Sequence, residues 1–133
     1  MLKRNKRFLI MLLALTLPLG CIGCSDGGSA PYDQISGAEA KALMDSESGY
    51  IIIDARTQSE YDEGHIPGAI LIPEYEIADR AEKELPDKDQ LILVYCRSGR
   101  RSKIAAEELV KLGYTNVKEF GGIIDWEYEI VKD

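Results

Sequence analysis

The sequence predicts a single α/β domain in which a parallel sheet carries helices on both faces. Three observations lead there. Short apolar runs recur at residues 50–53, 69–72 and 91–95, and continuous rather than alternating hydrophobicity suits strands buried on both faces. Between the runs lie stretches with helical start and stop signals. The length, 133 residues, allows one domain.

The elements follow in order. Ser36 with Glu39 forms a capping box that opens a helix to about Met44. Residues 50–53 make a strand that leads into Asp54. Thr57 with Glu60 is a second capping box, for a short helix ending at Gly64. Residues 69–72 form a short strand, and Pro73 starts a helix that stops before Pro86. Residues 91–95 are the strongest buried strand, and they deliver Cys96 to its carboxyl end. A helix from about Arg101 to Leu112 places Ile104, Ala105, Leu109 and Leu112 on one face. Lys103, Glu107 and Lys111 point away, and Gly113 ends the helix. Residues 117–120 are the last strand, Gly121-Gly122 a turn, and residues 123–130 a terminal helix packed through Trp126 and Tyr128. The acidic series Glu74, Glu76, Asp79, Glu82 and Glu84 reads as a solvated helix face.

Charge is distributed unevenly along the chain. The first 23 residues hold no acid and four bases, Lys3, Arg4, Lys6 and Arg7. Residues 24–133 hold 12 basic and 23 acidic side chains. So acidic a body repels a phosphate backbone, which disfavours nucleic-acid partners. Two of the three cysteines fall in the leader and one in the body, so a disulfide framework is excluded for the folded part. One histidine with one body cysteine makes no metal site, and no cofactor is expected.

Behind the basic leader, residues 8–19 are apolar apart from Thr16 and Pro18. This is the pattern of a secretory signal. Its apolar run of about 12 residues falls short of the ~20 that a spanning helix needs. The chain then reads Gly20-Cys21-Ile22-Gly23-Cys24-Ser25-Asp26-Gly27-Gly28-Ser29. A small residue directly before a cysteine at this place resembles a bacterial lipoprotein signal. That resemblance implies lipid on the cysteine thiol and cleavage that makes this cysteine the mature N-terminus. Both Gly-Cys pairs fit, although neither has the usual Leu three places before its cysteine. Cys24 is favoured over Cys21 because residues 25–29 then form a flexible polar tether. Plain secretion with cleavage nearby is the alternative. The expected layout is a signal peptide over 1–23, a linker over 24–31 and one domain over 32–133. That domain would be exported to the bacterial envelope and held at the membrane by lipid alone.

The chemistry concentrates after Cys96, where Cys96-Arg97-Ser98-Gly99-Arg100-Arg101-Ser102 joins a strand to a helix N-terminus. Ligands of open parallel sheets bind beyond the carboxyl ends of the strands. Unpaired N–H groups of the first helical turn point into such a loop, and the helix dipole adds positive charge. Arg97, Arg100 and Arg101 add more. A cysteine in this setting is expected to ionise readily and act as a nucleophile. Gly99 lets successive N–H groups curl into an anion-binding nest. Asp54 and Arg56, at the same sheet edge, are expected to support the loop through an ion pair. His65, within Gly64-His65-Ile66-Pro67-Gly68, reads as a structural residue of a turn.

Taken together, Asp54-Ala55-Arg56 with Glu60-Tyr61, Gly64-His65-Ile66-Pro67-Gly68-Ala69, the Cys96 loop, and Gly121-Gly122 before Trp126 resemble the rhodanese family. The resemblance covers residues 32–133. It implies a rhodanese-like three-layer fold with a five-stranded parallel sheet, and sulfurtransferase activity. By the resemblance, Cys96 is the catalytic residue, and Arg97, Ser98, Gly99, Arg100 and Arg101 complete the active loop. Arg100 is a departure, since Asn is frequent there. The implied partners are a small anionic donor such as thiosulfate and a thiol or cyanide acceptor. The implied chemistry is a double displacement through a Cys96 persulfide.

Two other functions remain open on these residues. One is a non-catalytic persulfide carrier or sensor that hands sulfur to a protein partner. The other is a phosphatase or arsenate-reductase type of enzyme. Those relatives place five residues between Cys and Arg, whereas here that Arg position is Ser102 and the arginine falls one place earlier. The loop length therefore favours sulfur.

Overall fold

A computed structural model describes residues 31–133. The leader, with Cys21 and Cys24 where lipid is expected, lies outside the described residues. Five parallel strands form one sheet in the order β1-β5-β4-β2-β3. They are β1 (Asp33–Gln34), β2 (Ile51–Asp54), β3 (Ile70–Leu71), β4 (Ile92–Cys96) and β5 (Val117–Gly122). The helices are α1 (Gly37–Ser46), α2 (Gln58–Glu63), α3 (Ile77–Glu84) and α4 (Arg100–Lys111).

Alternation along the strands divides the core into two layers. Ile53, Ile92, Val94 and Cys96 face α3 and α4, meeting Ile77, Ala81, Ala105, Ala106 and Leu109. Ile52, Leu93, Tyr95 and Phe120 face the other way, against Ala40 of α1, with Tyr61 of α2 and Trp126 packed beside them. β4 lies at the centre and is buried along its whole length, as its uninterrupted apolar sequence requires.

Both capping boxes form. Ser36 and Thr57 accept from the N–H groups of Glu39 and Glu60, whose carboxylates accept in return from the cap backbones. Gly113 adopts the left-handed conformation after α4.

Two expectations are corrected, and the fifth strand is located. Residues 123–130 are not a helix: a 3-10 turn covers Ile123–Asp125, and Trp126 is extended. The chain then runs back to His65, where Val131 and His65 exchange two backbone hydrogen bonds at 2.8 and 2.9 Å. Ile124, Tyr128 and Ile130 are exposed, so no buried stripe exists to hold a helix there. The segment from Pro73 splits into a 3-10 turn, Glu74–Glu76, followed by α3. Its start is tied down by the Glu74 N–H, which donates to Ala55 O at 3.1 Å. β1 is the fifth strand of the expected sheet, at a position the sequence reading left unassigned. Its two exposed polar residues pair with Lys118 and Glu119 of β5, and Lys118 Nζ donates to the Asp33 carboxylate.

Candidate active site

Cys96 ends β4 and lies opposite Gly122. Between the Val94–Glu119 and Cys96–Gly122 pairs, β5 holds one residue more than β4, which is a β-bulge. Gly121 takes φ +86 at this bulge, a conformation open to glycine at little cost. The loop after Cys96 then lies flat on Gly122. A Cβ there would fall 2.0 Å from Arg97 O and 2.6 Å from Ser98 Cα. The Ile124 N–H donates to Arg97 O at 3.3 Å and holds the loop from the same side.

The loop closes over the sulfur. Gly99, at φ +102, is the N-cap of α4, and its N–H donates to Cys96 Sγ at 3.0 Å. Cys96 is 1% exposed, so the sulfur lies buried beneath the loop backbone. The loop runs directly into α4 at Arg100, and the first-turn N–H groups of a helix are available to anions. The Cys96 thiol donates to Ser102 Oγ at 3.3 Å, and Ser102 is itself fully buried.

Arg101 turns toward α2. Its Nη1 and Nη2 donate to the two carboxylate oxygens of Glu60 at 2.7 and 2.8 Å. The bond to Arg101, with Thr57 helping against the cost of burial, holds Glu60 down at about 2. Arg101 is raised in turn, first by the Glu60 bond and then, against burial, by the charges of Glu60, Cys96 and Glu74. Its positive charge thus bears on the sulfur although its hydrogen bonds are spent on Glu60. Arg97, Ser98 and Arg100 are exposed on the rim.

Asp54 and Arg56 form the expected ion pair, with Arg56 Nη2 2.7 Å from Asp54 Oδ2. Burial works against the Arg56 charge, but the bonds and charge of Asp54 outweigh it and raise its pKa. Arg56 also donates to Gly64 O at 2.7 Å. Tyr95 OH donates to Asp54 Oδ2 at 2.6 Å and accepts from the Ile66 N–H at 3.1 Å. Burial, and then the Asp54 charge, push the Tyr95 phenol up. Among the described residues these bonds join β2, β4 and the 64–66 turn, and none runs to residues 97–101. Their link to the loop passes through the Tyr95 backbone, whose carbonyl accepts from the Ala55 N–H at 2.9 Å. His65 stacks on Tyr61 at 3.7 Å between centroids, and its Nδ1 lies 3.0 Å from Tyr61 O. It serves the turn.

Glu119 was missed in the sequence. It is 3% exposed, faces α4 from β5, and accepts from Ser102 Oγ at 2.6 Å and from the Gly121 N–H at 2.8 Å. Its signal was a charged residue two places after Val117, on the inward face of a buried strand. Glu60 was visible as a cap residue, but its pairing with Arg101 was not.

A sequence profile of the Rhodanese-like domain matches residues 36–129. The thiosulfate sulfurtransferase PspE of Escherichia coli is 42% identical over 73 residues, covering 55% of this chain and 70% of the relative. The thiosulfate sulfurtransferase GlpE of Coxiella burnetii is 35% identical over 97 residues, covering 72% of this chain and 88% of the relative. Among solved structures, a "rhodanese with anions from E. coli" superposes with a TM-score of 0.60 at 39% identity. That match covers 63% of this chain and 99% of the other.

Proposed function

Because the chain belongs to the rhodanese-like domain family, we propose that it moves sulfane sulfur from an anionic donor such as thiosulfate, through a persulfide on Cys96, to a thiophilic acceptor. The observation that carries this reading is the Gly99 N–H on Cys96 Sγ at 3.0 Å. A backbone loop that already donates to the sulfur is built to receive a second sulfur carrying negative charge.

The Cys96 thiolate attacks the outer sulfur of thiosulfate. A new S–S bond forms, the S–S bond of the donor breaks, and sulfite leaves with the electron pair. The charge now sits on the outer sulfur of the persulfide, among the loop N–H groups and the N-terminus of α4. Cyanide or a thiolate then attacks that outer sulfur, and the Cys96 thiolate is the leaving group. Arg97 and Arg100 on the rim attract the anionic donor against the acidic body. Arg101 lends its charge from the Glu60 pair.

Thiocyanate formation from thiosulfate and cyanide tests the reading. The wild-type protein is expected to turn over, and Cys96→Ser, folded but unable to form a persulfide, is expected to be inert. Thiocyanate production that survives in Cys96→Ser overturns it.

The reading extends to location. The basic and apolar leader supports export, with residues 1–23 as the signal peptide, 24–31 as linker and 32–133 as the working domain. The Gly-Cys pairs support lipid on Cys24 or Cys21, which would hold the sulfurtransferase at the outer side of the cytoplasmic membrane.

A further inference from the structure

The buried carboxylate of Glu119 lies one hydroxyl away from the nucleophile, and the sulfur transfer outlined above makes no use of it. Ser102 Oγ has one proton. Its nearest acceptor is Glu119 Oε1 at 2.6 Å, ahead of Gly99 O at 3.1 Å and Gly121 O at 3.4 Å. Oε1 also accepts the Gly121 N–H, and two donors on one oxygen suit the ionised carboxylate. The Ser102 proton therefore points at Glu119, and the Ser102 lone pair faces Cys96 Sγ.

We propose that Glu119 is a positioning residue that acts through Ser102 to control where negative charge resides at Cys96. With Ser102 held as an acceptor, the hydroxyl stabilises the thiol and offers a thiolate nothing. The carboxylate behind it repels charge on Sγ, and burial leaves that repulsion poorly screened. In the persulfide, Sγ is uncharged and the charge has moved one bond outward, away from Glu119 and toward the loop N–H groups. Glu119 thus favours the loaded state over the bare thiolate. This use rests on the sulfur-transfer reading. The charge placement itself does not.

The other charges near the pair are identifiable. Arg101 of α4 bears on Cys96, with Glu60 of α2 and Glu74 bearing on Arg101. On the other side, Glu119 bears on the Tyr32 hydroxyl, as does Glu107 of α4. Glu119 is the carboxylate joined to the sulfur through a buried hydroxyl.

The test follows thiolate ultraviolet absorbance against pH in the full chain, each form measured against its own Cys96→Ser counterpart. Glu119→Gln keeps an acceptor oxygen for Ser102 and the Gly121 turn but removes the charge. Its thiolate is expected to appear at lower pH than in the wild type, with a thiolate fraction on the order of tenfold larger below the midpoint. If Glu119→Gln does not fold, Glu119→Val keeps a strand-forming residue and is expected to shift the same way. A thiolate signal at unchanged or higher pH overturns the proposal, since a purely structural Glu119 would leave it in place. A second readout is loading against sulfite. With thiosulfate and sulfite at a fixed ratio, the Glu119→Gln protein should carry less persulfide than the wild type. Equal loading would overturn the functional half of the proposal. If the ultraviolet shift appears and neither protein loads at all, the sulfur-transfer reading fails while the charge placement stands.

Discussion

Arg101 and Glu60, 41 positions apart, meet in a two-bond ion pair that ties the first turn of α4 to the first turn of α2. Glu60 accepts from the Thr57 N–H and the Thr57 hydroxyl, both at 3.0 Å, and from the Arg101 fork. One carboxylate thus caps its own helix and positions the arginine whose charge reaches Cys96. That double use ties the stability of the fold to the electrostatics of the site.

The pair makes acid stability depend on Glu60. Its carboxyl lies at about 2 in the fold, against an ordinary 4.5, so its contribution is fully present above about pH 4.5. That contribution fades as pH falls toward 2, because the unfolded chain binds the proton first. Glu60→Gln should be less stable than wild type at neutral pH by about 1–2 kcal/mol, the pair being partly open to water. The difference should shrink steadily below pH 4.5. Urea unfolding at a series of pH values checks this, and a pH-independent difference would contradict it.

Gly122→Ala should damage the loop more than its size suggests. Its Cβ would meet Arg97 O at 2.0 Å, and because the opposing atoms are backbone, a rotamer change cannot relieve it. A cost of about 1–3 kcal/mol is expected, together with a fall in sulfur-transfer rate. Thermal unfolding and steady-state kinetics on the same sample check it. A fully active Gly122→Ala protein would show that the loop position is immaterial.

Tyr95→Phe separates scaffold from chemistry. It leaves Asp54 Oδ2 and the Ile66 N–H without their shared hydroxyl, at a cost of about 1–3 kcal/mol. Sulfur transfer at a temperature where the variant is folded should remain close to wild type. A large loss of rate without loss of stability would place the Asp54 network in the reaction.

The sequence made the centre of this fold legible because its signals are local. β4 shows as an apolar run, α1 and α2 as capping boxes, and the end of α4 as Gly113. The Cys96 loop was legible for the same reason, as a strand, a cysteine, a glycine and a helix in fixed order. Pairings made only by the fold were not. Two-residue β1 exists through its register with β5, and Glu119 enters the site because the register of β5 on β4 sets its inward face beside Ser102 of α4. Residues 123–130 misled because Trp126 and its neighbours supply apolar side chains at helical spacing, while pairing between His65 and Val131 claims the backbone instead.

Export and lipid attachment predict a cellular phenotype. The mature protein should lose its leader, fractionate with membranes and enter the detergent phase. Replacing Cys21 and Cys24 together by Ala should release it or leave the precursor uncleaved, whereas Cys96→Ala should change neither. Processing without incorporation of labelled fatty acid would reduce the leader to a plain secretory signal.

The central claim is that Cys96 carries the sulfur, and mass spectrometry tests it most directly. Purified protein treated with thiosulfate and digested without reductant should show the Cys96 peptide heavier by one sulfur atom. The added sulfur should be lost on treatment with cyanide. A Cys96 peptide of unchanged mass under conditions where thiocyanate is being produced would contradict the account.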